Sequence, residues 1–215
     1  METLRVFLVS FCYLCSLMKE NILNKTIDLF LSYGVKSITM DDIAKEMAIS
    51  KKTIYTYFST KAKLVEAASI FAFERINKGI FMICALNYNP IDELYKVKSL
   101  VLEQLKNEES SPQYQLQKYY PKVFETLKQK QFDSVNSCIT QNLSRGIKNG
   151  YYRKEIDINL ITRLYFNGMM GIKNVELFPK NDFSVPYLMD SYLEYHIRAI
   201  ATEKGLKILQ NIIKK

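Results

Sequence analysis

Residues 39–58 read TMDDIAKEMAISKKTIYTYF, and this stretch decides how the rest of the chain is read. Thr39 stands three residues before Asp42. That spacing suits a reciprocal helix cap, with the hydroxyl accepting the Asp42 N–H and the carboxylate favoured by the helix dipole. A short helix is expected from Met40 to Met47, burying Ile43, Ala44 and Met47 on one side. Ala48 and Ile49 then turn the chain. Ser50 caps a second helix, whose inner face carries Ile54 and Phe58, four residues apart. Thr60 can cap a further helix beginning at Lys61.

Two short helices joined by about three residues form a helix-turn-helix, the second helix free to enter a major groove. The cations support that use. Ser50 as N-cap puts Lys51 and Lys52 at the first two helical positions, where the macrodipole opposes each by roughly 0.3–1 kcal/mol. An approaching polyanion would offset the cost. Between Met47 and Leu64 there are four lysines, Lys51, Lys52, Lys61 and Lys63, and no acid. Thr53, Tyr55, Thr56 and Tyr57 add hydroxyls and rings suited to phosphates, base edges and thymine methyls.

The longer stretch GVKSITMDDIAKEMAISKKTIYTYFSTKAKLVEA, Gly34 to Ala67, resembles the DNA-binding domain of TetR/AcrR-type transcriptional regulators. The matching frame is Gly34, Thr39, Ile43-Ala44, Ser50, Ile54-Tyr55, Tyr57-Phe58, Lys61 and Leu64. The resemblance implies that Thr39, Tyr55, Tyr57 and Lys61 hold phosphates, while Lys51, Lys52, Thr53 and Thr56 face the bases. Two positions depart from the pattern. The turn, commonly Ala-Gly-Val, is Met47-Ala48-Ile49, and a left-handed Ala48 would cost roughly 1 kcal/mol over glycine. The acid often found after the lysine is Ala62.

The whole chain has 215 residues, is 48% hydrophobic and carries a formal net charge of +8, enough for a proper core and suited to an acidic partner. Four cysteines, Cys12, Cys15, Cys84 and Cys138, form no disulfide framework, and a reduced cytoplasmic setting is expected. Residues 1–17, METLRVFLVSFCYLCSL, stand apart as apolar but too short to span a bilayer, which needs roughly 20 helical residues. They are expected to be a non-native or unstructured extension, with Met18 as the true start. Cys12 and Cys15 are formally CxxC, without a second pair.

Seven glycines, five prolines and no sustained period-2 alternation make the chain all-α. The expected organisation is a three-helix bundle with the helix-turn-helix over 18–65 and a larger helical ligand-sensing and dimerisation domain over 66–215. Helices are expected near 19–33, 61–86, 91–107, 132–148, 157–173 and 187–201. Pro121 kinks or starts a helix, Asn149-Gly150 ends one, and Gly205 interrupts a short terminal one.

By the same resemblance, the last two long helices would pair with a second copy through Phe166, Met170, Leu188, Tyr192, Tyr195 and Ala199, with Gly168 and Gly171 allowing close approach. A small hydrophobic or amphipathic ligand would lie among Phe71, Tyr114, Tyr119, Phe124, Tyr165 and Met169, in keeping with fifteen tyrosines and twelve phenylalanines. The expected partners are therefore double-stranded DNA, a second copy and that ligand, with no cofactor and no stable membrane association. The implied function is a ligand-responsive, palindrome-binding repressor. The alternatives are a membrane-associated basic helical protein and an all-helical enzyme. No Gly-rich phosphate loop, GxSxG or HExxH motif supports an enzyme, and the lone His196 falls within an expected helix.

Overall fold

Caps and prolines set the helix ends. The computed structural model describes residues 2–104 and 112–214, of which 2–15 are described as backbone alone. Among the described residues there are ten helices: α1 Glu2–Tyr33, α2 Met40–Glu46, α3 Lys51–Tyr57, α4 Lys61–Ala85, α5 Pro90–Gln104, α6 Pro112–Tyr119, α7 Pro121–Lys148, α8 Ile158–Gly171, α9 Val185–Ile200 and α10 Glu203–Ile213. No strand forms among them, and one isolated antiparallel bridge joins Tyr152 to Ala201. No helix among the described residues is long and apolar enough to cross a membrane.

Several boundaries differ from expectation. The α1 backbone begins at Glu2 and runs without a break through residues 2–17. The Cys12 and Cys15 side chains lie outside the described residues. Pro121 starts α7, which continues to Lys148 as one helix of 28 residues rather than opening near Phe132. Proline suits a first helical position because its missing N–H would have had no partner there. Gly205 does not interrupt α10. Its N–H donates to the Thr202 cap at 3.3 Å, and a Cβ there would stand 2.3 Å from the Tyr151 carbonyl oxygen.

Contacts divide the chain into two units: Met1–Phe73 with Asn107–Glu125, and Glu74–Lys106 with Thr126–Lys215. The chain thus leaves the first unit midway along α4 and returns to it for α6, instead of crossing once after residue 65.

In the first unit, α1 buries Ile22, Leu23, Ile27 and Phe30, and α2 buries Met40, Ile43 and Ala44. Gly34 ends α1 with φ +90° and donates to the Phe30 carbonyl at 3.0 Å. The space a Cβ would need there is filled by Gln115 of α6, 2.4 Å from its Nε2. Gln115 also accepts the Lys36 N–H at 3.0 Å.

The second unit has its core in Ile91, Leu94, Ile139, Leu143, Tyr152, Leu193, Ile197 and Leu209. A polar network crosses it. Asn142 donates to the Pro90 carbonyl at 2.9 Å and to buried Glu93 at 2.7 Å, Tyr152 donates to Asn142 at 3.1 Å, and Arg145 pairs with Glu93. Every member has a partner, as buried polar groups require.

Candidate nucleic-acid interface

The α2–turn–α3 segment is held by its caps. Asp42 N–H donates to Thr39 Oγ1 at 3.2 Å, and Thr39 N–H donates back to the Asp42 carboxylate at 2.8 Å. The Thr39 N–H and the Thr39 hydroxyl, which donates to the same carboxylate at 2.7 Å, hold the Asp42 carboxyl below its ordinary pKa. Ser50 Oγ accepts the Thr53 N–H at 3.0 Å, and Thr60 Oγ1 accepts the Lys63 N–H at 3.2 Å. Between the helices Ala48 has φ +52°. This is the left-handed turn that costs an alanine roughly 1 kcal/mol over glycine.

Ile54 and Phe58 anchor α3, fully buried or nearly so. Each contributes about 1.5–3 kcal/mol by leaving water. Their burial turns Lys51, Lys52, Tyr55 and Thr56 outward, all exposed, while Thr53 and Tyr57 are half-buried. The Thr53 hydroxyl is engaged with Ser50 Oγ at 2.8 Å, and Thr56 Oγ1 donates to the Thr53 carbonyl at 2.6 Å. Thr56 therefore presents its methyl group and a hydroxyl acceptor rather than a free donor.

The four lysines differ in a way their spacing does not reveal. Lys51 pairs with Asp41 of α2 at 2.7 Å, and that hydrogen bond raises its pKa. The macrodipole cost at this position is thus met within the protein. Lys63 pairs with Glu66 at 2.8 Å. Lys61 Nζ donates to the Lys36 carbonyl at 3.1 Å, and partial desolvation lowers its pKa against the opposing pull of Asp42. Lys52 is the one of the four without an ion pair or backbone acceptor among the described residues. Two members of the network were missed in the sequence, Asp41 and Lys36. Asp41 sits ten residues before Lys51, a spacing that means nothing until the turn brings α2 and α3 together.

Known proteins resemble this chain in sequence and in fold. Residues 22–68 match the family model for bacterial regulatory proteins of the tetR family. The biofilm operon icaADBC HTH-type negative transcriptional regulator IcaR of Staphylococcus aureus is 34% identical over 79 residues, covering 37% of this chain and 42% of that protein. The chain thus matches less than half the length of that relative. A second relative, the uncharacterized HTH-type transcriptional regulator YvaF of Bacillus subtilis, is 25% identical over 193 residues, 87% of this chain and 97% of its own.

Over residues 22–68 the chain is similar to the tetR family. A TetR-family transcriptional regulator from Agrobacterium tumefaciens shares the fold, with a TM-score of 0.70 at 15% identity over 87% of this chain and all of that one.

The residues expected to line a ligand pocket are divided between the two units. In the first unit Tyr114 and Tyr119 are exposed, Phe71 is half-buried and Phe124 is buried. In the second, Tyr165 is buried, with its ring 4.9 Å from that of His196, and Met169 packs at the core margin. A cleft of about 640 Å³ does open in the second unit, but none of these six residues lines it. Its walls include Tyr95, Lys98, Asp190, Glu194 and Ile212. The Tyr95 hydroxyl is buried there without a hydrogen-bond partner among the described residues, and burial pushes its pKa up to about 12.

Of the residues expected on a dimer face, Leu188 is buried in its own subunit and Phe166 meets Phe132 edge-on at 5.3 Å. Tyr192 donates to the Leu164 and Tyr165 carbonyls at 3.0 and 3.2 Å. Its ring occupies the space beside Gly168, where a Cβ would lie 2.1 Å from it. Gly168 therefore serves α8–α9 packing inside one subunit, while the space beside Gly171 is open. Met170 is half-buried, and Tyr195 and Ala199 are exposed. Leu160 and Leu164, each 53% exposed on α8, and Tyr187, 59% exposed on α9, leave further apolar surface uncovered.

Proposed function

We propose that the chain is a cytoplasmic, homodimeric transcriptional repressor that places α3 in the major groove of a palindromic operator and is released by a small organic ligand. The observation that carries the reading is the outward face of α3: Lys51, Lys52, Tyr55 and Thr56 exposed together above a buried Ile54 and Phe58. Lys52, without an internal partner among the described residues, is the residue best able to read a base edge. Thr39 caps α2 and Lys61 opens α4, positions suited to phosphate contact, and Lys61 keeps donors beyond the one given to Lys36.

One seven-residue helix offers too few base contacts, and two-fold symmetry doubles them on a palindrome. Leu160, Leu164, Tyr187 and Tyr195 support the dimer, since exposed apolar groups on two packed helices suit burial against a second copy. The ligand arm rests on the cleft of the second unit, whose size suits a small organic molecule and whose lining sets Tyr95 beside Lys98, Asp190 and Glu194. Repression is taken from the IcaR likeness.

Fluorescence anisotropy on duplexes tiled from the region upstream of the chain's own coding sequence, against scrambled competitor at physiological salt, tests the reading. A palindromic tile bound at least ~10³-fold tighter than scrambled DNA is expected. Equal, weak and salt-sensitive binding to every tile and to a genome-derived operator library would overturn it.

A further inference from the structure

Two cysteines distant in sequence meet in the second unit. The Cys84 thiol on α4 and the Cys138 thiol on α7 lie close enough for each to perturb the other's ionisation. The same helix seam carries a second contact, in which Ser134 Oγ donates to Asn77 Oδ1. Both cysteines are free, and both are half-buried rather than sealed in the core. Nothing in the nucleic-acid face uses them. We propose that Cys84 and Cys138 form a redox couple, a dithiol that hydrogen peroxide converts to an intramolecular disulfide between α4 and α7.

The two sulfurs have different roles. Burial pushes both thiols up, Cys84 to about 12. Cys84 holds back the rise at Cys138, and Cys138 adds to the rise at Cys84. The Glu93 carboxylate on α5 raises both, and Arg145 on α7 counters at Cys84. Cys138 is therefore the first to ionise and attacks, and Cys84 resolves. The Cys138 thiolate takes one peroxide oxygen, the O–O bond breaks, and the departing hydroxide gains a proton to leave as water. Cys84 sulfur then attacks the Cys138 sulfenic acid. The S–S bond forms, the S–O bond breaks, and a second water leaves with the Cys84 proton. Two thiols and one peroxide thus become one disulfide and two waters. Because both thiols are protonated at neutral pH, the rate should rise about tenfold per pH unit below the Cys138 pKa.

The test uses the full chain, reduced, exposed to hydrogen peroxide at pH 7 and 8, alkylated and digested with trypsin. The expected product is peptide 79–96 joined to peptide 131–145, about 2 Da lighter than the two thiol peptides together and separated again by dithiothreitol. Cys12 and Cys15 fall in a different peptide and cannot imitate it. In Cys84→Ser the Cys138 sulfenic acid should persist and be trapped by dimedone, whereas Cys138→Ser should leave Cys84 nearly unlabelled, with circular dichroism confirming that both variants fold. Recovery of both peptides alkylated, or oxidised separately without a link, would overturn the couple. Stronger dimedone labelling of Cys84 than of Cys138 would overturn the assignment of roles.

Discussion

Two parts of the molecule leave side chains uncovered, and their chemistry is opposite. On α3 the uncovered groups are Lys51, Lys52, Tyr55 and Thr56; on α8 and α9 they are Leu160, Leu164, Tyr187 and Tyr195. The first set gains from an anion and loses strength with salt. The second gains from another apolar surface and is indifferent to moderate salt. Beneath them the contrast runs the other way. The α3 face stands on apolar Ile54 and Phe58, while the second unit carries a polar network through its core, from Arg145 to Glu93 to Asn142 to Tyr152. Each region thus places its polar groups where the other places apolar ones. A change that suits one should damage the other.

Large effects are expected on the apolar face and in the polar core. Leu164→Arg, which puts a charge where two copies would meet, should convert the proposed dimer to monomer in sedimentation velocity and weaken operator binding by more than about 100-fold, a loss of roughly 3 kcal/mol. A variant that remains dimeric would break the contrast between the faces. In the core, Arg145→Ala leaves the buried Glu93 carboxylate without its ion-pair partner. It should cost about 3–5 kcal/mol in urea unfolding.

His196 gives a pH-dependent effect of similar size. Burial pushes its pKa down to about 4, against an ordinary value of 6.5. The unfolded chain therefore takes up a proton before the folded one does. Stability is fully present above pH 6.5 and falls by up to about 3 kcal/mol as pH drops towards 4. Thermal unfolding of the wild type should lose more over that window than His196→Phe, which has nothing to protonate.

Lys52 and Lys61 separate two roles within the charged face. Lys52→Ala should remove about 1–3 kcal/mol of discrimination between operator and random DNA. Lys61→Ala should weaken both alike and reduce the salt slope by about 1. Equal loss on both duplexes from both variants would erase the distinction. Smallest of all, Ala48→Gly relieves a left-handed alanine and should stabilise the first unit by about 1 kcal/mol, read as a shift of the urea midpoint with unchanged slope.

How much of this was legible depends on distance along the chain. The caps at Thr39, Ser50 and Thr60 each link residues three apart, and all three form as their spacing predicts. The inner face of α3 was equally readable, because Ile54 and Phe58 repeat at one helical turn. The strain at Ala48 could be anticipated from its departure from the family pattern. Asp41 beside Lys51 could not, since their contact needs the whole turn in place. Nor could the direction of Tyr192 or Leu188: both fit an apolar helix face, and only the neighbouring α8 decides that the face points inward.

The sequence by itself determined the helical class, the helix-turn-helix and the residues that cap it, because those rest on interactions within one turn of chain. Only the tertiary structure decided that α7 runs unbroken from Pro121, which lysine stays unpartnered, which aromatic rings are core, and that Cys84 meets Cys138. Those outcomes depend on which helix packs against which. A helical repeat specifies an apolar stripe, but it does not name the surface that will cover it.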